Sequence, residues 1–165
     1  MSIKAAVITI SDRSAEGLRE DTSGPTAVRL LEEAGVKVIE TAIVHDDVRA
    51  IAEAVQTLAY DEVDLVITTG GTGISPQDYT ARAMDPILRF DIPGIPEAIR
   101  YQGIKKGVPG AILSRSRAGV MVLGRNRTLV INLPGSVGAV KDGMEVVIPL
   151  LDHAIDQMRG GDHVA

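Results

Sequence analysis

The stretch Asp64-Leu-Val-Ile-Thr-Thr-Gly-Gly-Thr-Gly-Ile-Ser-Pro-Gln-Asp78 limits the possible folds more than any other part of the chain. Leu65, Val66 and Ile67 form a short apolar run between polar residues, stopped by glycines. Such a run is too short for a helix and reads as a buried strand. At its carboxyl end Gly70, Gly71 and Gly73 leave the main chain bare, so a ligand can come close to the N–H groups. Thr68, Thr69 and Thr72 add hydroxyls, and Asp78 adds a carboxylate. Open parallel sheets bind ligands at the carboxyl ends of their strands. Two readings stand: a strand-to-helix turn that needs glycine for geometry alone, or a cradle for an anion or nucleotide. The density of small and hydroxyl residues favours the cradle.

The surrounding pattern supplies a sheet for this strand. Ala5–Ile10 reads as a first buried strand, followed by a long polar loop from Ser11 to Gly24. Loops of that length are often functional. Pro25 suits the start of a helix, with Val28, Leu31 and Ala34 on one face and Gly35 as its stop. Val36–Val44 reads as a second strand, and either Asp46 or Asp47 can cap the next helix. In that helix Val48, Ile51, Ala52, Val55, Leu58 and Ala59 keep helical spacing. Strand, helix, strand, helix, strand implies a mostly parallel sheet covered on both faces.

Beyond the glycines, Thr80–Arg89 has helical character with Pro86 inside it, which predicts a break near Asp85. Pro96 suits the start of a helix through Ile99 and Ile104, and Pro109-Gly110 marks a turn. Val120–Leu123 and Thr128–Leu133 read as strands joined in a hairpin by Gly124–Arg127, which makes the sheet mixed. A final amphipathic helix carries Met144, Val147, Ile148, Leu151, Ile155 and Met158 on its apolar side. Gly160–Ala165 reads as a flexible tail.

With 165 residues the chain reads as one domain with room for a proper core. A net charge of −5 argues against nucleic acid and membrane surfaces as partners. The few aromatic residues offer no base-stacking platform. Cysteine is absent, which removes disulfides, thiolate metal sites and a cysteine nucleophile. Neither a signal sequence nor a membrane-length apolar run is visible, so the expected location is cytoplasmic.

Parallel strands would bring the loops Ser11–Ser23, His45–Asp47, Gly70–Asp78 and Asn132–Ser136 to one sheet edge. Asp46 and Asp78 could share a hard cation there, since Mg²⁺ takes one or two carboxylates plus substrate phosphate oxygens. The competing reading makes each aspartate a helix cap. No G-x-x-x-x-G-K-S/T phosphate loop, no G-x-G-x-x-G after the first strand and no G-x-S-x-G elbow is present. His45, His153 and His163 are too scattered for a metal cluster. Arg13, Arg115, Arg117, Lys105 and Lys106 could each meet phosphate or stand as a solvated surface charge.

Ile10-Ser-Asp-Arg13, Asp21-Thr-Ser-Gly-Pro25, Thr68-Thr-Gly-Gly-Thr-Gly73, Leu113-Ser-Arg-Ser116 and Asn132-Leu-Pro-Gly135 occur in that order. Together they resemble the molybdopterin adenylyltransferases of molybdenum cofactor biosynthesis, over nearly the whole chain. The resemblance implies a three-layer α/β/α fold with a mostly parallel mixed sheet, spanning residues 1–159. It implies Mg²⁺-dependent transfer of AMP from ATP to molybdopterin with release of pyrophosphate, by a homotrimer serving a downstream molybdenum-insertion enzyme. Asp46 and Asp78 would be the catalytic, metal-holding pair. Ser11, Asp12, Gly70, Gly71, Thr72, Gly73, Ser114, Ser116, Asn132, Pro134, Gly135 and Ser136 would bind substrate.

The sequence departs from the family pattern beside the glycines. Gln77 stands where an arginine is usual, Thr80-Ala-Arg-Ala83 replaces Thr-Pro-Glu-Ala, and His45-Asp46 replaces Pro-Asp. The alternative reading is a non-catalytic molybdopterin-binding or scaffold protein of the same fold.

Overall fold

The computed structural model describes residues 2–60 and 62–161. Of the expected tail, residues 162–165 lie outside the described residues, and His163 with them. The strands are β1 (Lys4–Ile10), β2 (Lys37–Val44), β3 (Leu65–Thr69), β4 (Phe90–Asp91), β5 (Ala118–Leu123) and β6 (Asn126–Leu133). They form one sheet in the order β2-β1-β3-β6-β5-β4. The first four strands of that order run parallel, while β5 is antiparallel to β6 and β4 to β5. The mixed, mostly parallel sheet expected from the sequence is therefore present.

The helices are α1 (Asp12–Ala15), α2 (Ser23–Glu33), α3 (Val48–Tyr60), α4 (Thr80–Ala83), α5 (Gly94–Lys105), α6 (Val137–Val147) and α7 (Leu151–Met158). Successive strand residues point to opposite faces, and the chain uses both. Ala5, Val7, Leu65, Ile67, Leu129 and Ile131 pack against α2, α5, α6 and α7. Ala6, Ile8, Val66, Val130 and Met121 pack against α3, α4 and Ile87. A sheet buried on both faces needs apolar residues at consecutive positions, which is why β1 and β3 carry unbroken apolar or small-residue runs.

Several expected boundaries move for identifiable reasons. The loop after β1 contains one helical turn, α1, capped by the Ser11 hydroxyl accepting from Ser14 N at 3.2 Å. Helix α2 begins at Ser23 rather than at Pro25, because Asp21 Oδ1 accepts from Gly24 N at 3.0 Å and draws the first turn back. The segment after the glycines stops being helical at Ala83, ahead of Pro86, and runs into the two-residue strand β4. The final helix is two helices, because Pro149 forces a 3-10 turn over Ile148–Leu150. The β5–β6 hairpin is tighter than expected: Leu123 pairs with Asn126 around Gly124, whose φ of +60° suits glycine.

Candidate active site

Chain order and strand order differ most at β1. The chain goes from β1 outward to β2, then back across β1 to β3. Such a reversal opens a crevice at the carboxyl ends of the strands. Gly70 leaves β3 there, with its N–H donating to Leu133 O of β6 at 2.9 Å. It adopts φ +101°, and a Cβ at this position would lie 2.2 Å from Ile10 O of β1. Glycine is needed for both reasons at once.

Gly71 and Gly73 make room for carboxylates. A Cβ on Gly71 would sit 2.7 Å from Asp46 Oδ2, and one on Gly73 would sit 2.7 Å from Asp78 Oδ2. Asp46 arrives from the end of β2, and its Oδ1 accepts from Tyr79 N at 2.9 Å. Asp78 closes the glycine loop, with Oδ2 accepting from Ser75 N at 2.8 Å. The pKa of Asp46 is raised above the ordinary carboxylate value, chiefly by burial. The negative charges of Asp78 and Asp12 raise it further, against the lowering effects of the Tyr79 N–H and Arg115. Asp12 joins from α1, its Oδ1 accepting from Asp46 N at 3.0 Å and lying 3.1 Å from His45 Nδ1. Asp47 is the helix cap: its Oδ1 accepts from Arg49 N and Ala50 N at the start of α3.

Beside this loop lies a mainly apolar cavity of about 650 Å³ between β3, β6, α5 and α6. Gly70, Gly71, Thr72, Gly73, Asp78, Ser114, Pro134, Gly135 and Ser136 line it, so the structure brings these sequence-nominated residues together. Ser11 lies on a smaller neighbouring depression that shares Gly135 and Ser136. Ser116 and Asn132 sit behind the wall. Ser116 is buried and shares a 2.8 Å hydroxyl contact with Ser114. The fully buried Asn132 donates to Thr68 Oγ1 at 3.0 Å and to Met84 Sδ, and accepts from Arg117 N.

Three side chains matter here that sequence reasoning missed or underrated. Thr80, fully buried, donates from Oγ1 to Gly70 O at 2.8 Å and from N to Gly71 O at 3.1 Å. Arg115 is a brace for the glycine loop: Nε donates to Gly73 O at 2.6 Å and Nη2 to Asp78 O at 2.8 Å. Its place in Leu113-Ser-Arg-Ser116 was the available signal. Arg100 of α5 lines the cavity and donates to Ser114 O at 3.1 Å; no sequence motif marks it.

Among the described residues no cluster of three metal-ligating side chains occurs. Asp46, whose proton affinity is raised by burial and by the neighbouring charges of Asp78 and Asp12, and Asp78, each seated where a Cβ is missing, suit a cation completing its shell with water and phosphate oxygens. Mg²⁺ is such a cation.

Fold and crevice together define an α/β protein with an open cavity at the carboxyl edge of a parallel sheet, between the glycine loop and α6. Residues 6–153 match the family model described as "Probable molybdopterin binding domain", and the chain belongs to this family of molybdenum cofactor biosynthesis proteins. It is 40% identical over 161 residues to molybdenum cofactor biosynthesis protein B of Staphylococcus carnosus, covering 94% of this chain and 91% of that one. It is 35% identical over 162 residues to the molybdopterin adenylyltransferase of Helicobacter pylori, covering 96% and 89%. The crystal structure of the tungsten cofactor synthesizing protein MoaB from Pyrococcus furiosus superposes with a TM-score of 0.89 at 32% identity, covering 96% of this chain and 98% of that one. No helix among the described residues is long and apolar enough to cross a membrane.

Proposed function

We propose that this chain transfers AMP from ATP to the phosphate of molybdopterin and releases pyrophosphate, with Mg²⁺ held by Asp46 and Asp78. The observation that carries the reading is the convergence of these two aspartates, one following β2 and one closing the glycine loop after β3, each against a glycine whose missing Cβ leaves it space. The likeness to the Helicobacter pylori adenylyltransferase supports it.

The nucleophile is an oxygen of the molybdopterin phosphate, which attacks the α-phosphorus of ATP. A new P–O bond forms as the bond from the α-phosphorus to the oxygen bridging to the β-phosphate breaks, and that oxygen leaves with the electron pair as pyrophosphate. The nucleophile is already anionic, so the protein has to position two charged substrates and offset their repulsion. Bound Mg²⁺ would supply charge neutralisation and polarise the phosphoryl oxygens. The amides of Gly70, Gly71 and Gly73 present N–H donors to phosphate or the nucleoside edge. Arg100, Ser114 and Ser136 face the pterin side of the cavity, walled by Pro134 and Gly135. Ser11 and Asp12 act from α1, where Asp12 steadies the Asp46 main chain. Ser116 and Asn132 act from behind, holding Ser114 and the end of β6.

The reading extends to a cytoplasmic homotrimer that hands its product to a molybdenum-insertion enzyme. Exposed Tyr101, Ile104, Ile112 and Leu113 offer an apolar surface for protein contact. A second reading, binding of molybdopterin without AMP transfer, is favoured by the neutral Gln77 beside Asp78. Pyrophosphate release from ATP, Mg²⁺ and molybdopterin separates the two. We expect release that requires molybdopterin and falls by roughly a thousandfold in Asp46→Ala and Asp78→Ala. Tight molybdopterin binding with no release would overturn AMP transfer in favour of the binding protein.

A further inference from the structure

Asp78 has two sides. Its inner side borders the apolar cavity, while its outer side borders a second depression of about 390 Å³ lined by Ile74, Ser75, Pro76, Tyr79, Arg82 and Arg115. The two spaces share Ile74 and Asp78, so a ligand reaching past Asp78 would occupy both. Their linings differ in chemistry. The outer depression carries two guanidinium groups against one carboxylate.

Neither guanidinium is neutralised by an ion pair. Arg115 donates to two main-chain carbonyls, Gly73 O and Asp78 O, which accept hydrogen bonds but carry no net charge. Arg82 projects from α4, is exposed, and makes no hydrogen bond or ion pair with any described residue. Other arginines near the site are engaged: Arg117 pairs with Asp85 and Asp91, and Arg100 holds Ser114 O. In a chain of net charge −5, two cations without an ion-pair contact that share one depression beside the proposed metal-holding carboxylate form a local seat for phosphate oxyanions.

We propose that Arg82 and Arg115 bind the β- and γ-phosphates of ATP on the outer side of Asp78, and that Arg82 carries the charge of the departing pyrophosphate. The inference rests on the AMP-transfer reading and adds the route of the leaving group. The α-phosphorus would lie at Asp78, with the molybdopterin phosphate approaching from the cavity and the pyrophosphate departing toward α4. This arrangement places nucleophile and leaving group on opposite sides of the reacting phosphorus, as in-line displacement requires. Gln77 is neutral and exposed, so Arg82 and Arg115 supply the positive charge on this side of the loop.

The molybdopterin phosphate is the other source of the same oxyanion chemistry, and the test separates the two. Steady-state pyrophosphate release is measured for the wild type, Arg82→Ala and Arg82→Lys while ATP and molybdopterin are varied in turn. Equilibrium titration with Mg²⁺ and ATP alone accompanies it. We expect Arg82→Ala to raise the KM for ATP about tenfold, one charge-assisted hydrogen bond's worth, with the KM for molybdopterin changed less than about twofold. Arg82→Lys should recover most of the loss, and the ATP KM of Arg82→Ala should depend less on salt than that of the wild type. Unchanged ATP affinity and salt dependence in Arg82→Ala would overturn the assignment. A selective rise in the molybdopterin KM would overturn it as well, by giving the seat to the pterin phosphate. If the wild type releases no pyrophosphate, AMP transfer fails, and the ATP titration still decides the subsite: equal binding by wild type and Arg82→Ala overturns it.

Discussion

The two halves of the glycine loop lie within one short stretch of chain, yet opposite physics fixes them. Gly70 and Gly71 are over-determined. Both have positive φ, a Cβ on one would run into Ile10 O and on the other into Thr80 Oγ1 and Asp46, and both carbonyls accept from Thr80. Ile74 to Gln77 are exposed, and their bonds are local: Asp78 N donates to Ser75 O at 3.1 Å, Ser75 N to Asp78 Oδ2 and Gln77 N to Ser75 Oγ, with the braces from Arg115 around them. The inner half therefore sets where the aspartates stand, and the outer half can vary in charge without disturbing them. Of the expected departures from the family pattern, Gln77 falls on the outer half and Ala81 and Arg82 on α4, while His45 stands beside Asp46 and contacts Asp12.

Gly70→Ala should break the inner half outright. Its Cβ would enter the space of a main-chain oxygen in a strand that cannot yield, at a φ alanine tolerates poorly. Strain and overpacking together give a loss of about 3 kcal/mol or more, read as a large fall in the denaturant midpoint. Gly73→Ala sharpens the contrast. Its Cβ meets only the end of the Asp78 side chain, which can rotate away. Stability should change by less than about 1 kcal/mol while pyrophosphate release falls steeply, since Asp78 has moved. Equal destabilisation by the two variants would refute the division of the loop.

Thr80→Val tests the inner half again at smaller cost. The shape is kept, but Gly70 O loses its 2.8 Å donor in a buried setting, which costs about 1–2 kcal/mol. Thr80→Ser retains the donor and should recover most of that loss in thermal unfolding. Similar midpoints for Val and Ser would mean that the carbonyl finds another partner.

What the sequence revealed follows the same line. The strands were legible because burial on both faces of a parallel sheet demands unbroken apolar or small residues, as in Ala5–Ile10 and Leu65–Ile67. The glycine loop was legible because positive φ and missing Cβ atoms leave a residue type as their trace. The split between α6 and α7 was equally available at Pro149, but the helical spacing of Met144, Val147, Leu151 and Ile155 runs through it and hides the break. Thr80, Arg100 and Arg115 were not legible in these roles, because each acts on main-chain carbonyls brought near by the fold. A carbonyl acceptor has no residue identity, so nothing in the chain marks it in advance.

The smallest effect concerns the charge that the inner half positions, Asp46. Burial and the neighbouring carboxylates raise the pKa of Asp46, so the folded protein without metal holds this proton more tightly than the unfolded chain does. The unfolded state then binds fewer protons from this group, and its contribution to stability declines as pH rises through the ordinary carboxylate range and the raised value. Asp46→Asn keeps the acceptor for Tyr79 N and removes the charge. Without metal it should unfold at a slightly higher temperature than the wild type at neutral pH, and the gap should close on acidification. The gain should stay under about 1 kcal/mol, because the half-exposed carboxylate is screened by solvent. Mg²⁺ with ATP should reverse the order by stabilising the wild type and leaving Asp46→Asn unchanged. A wild type stabilised equally by ATP with and without Mg²⁺ would show that the inner half of the loop orients Asp46 for something other than a cation.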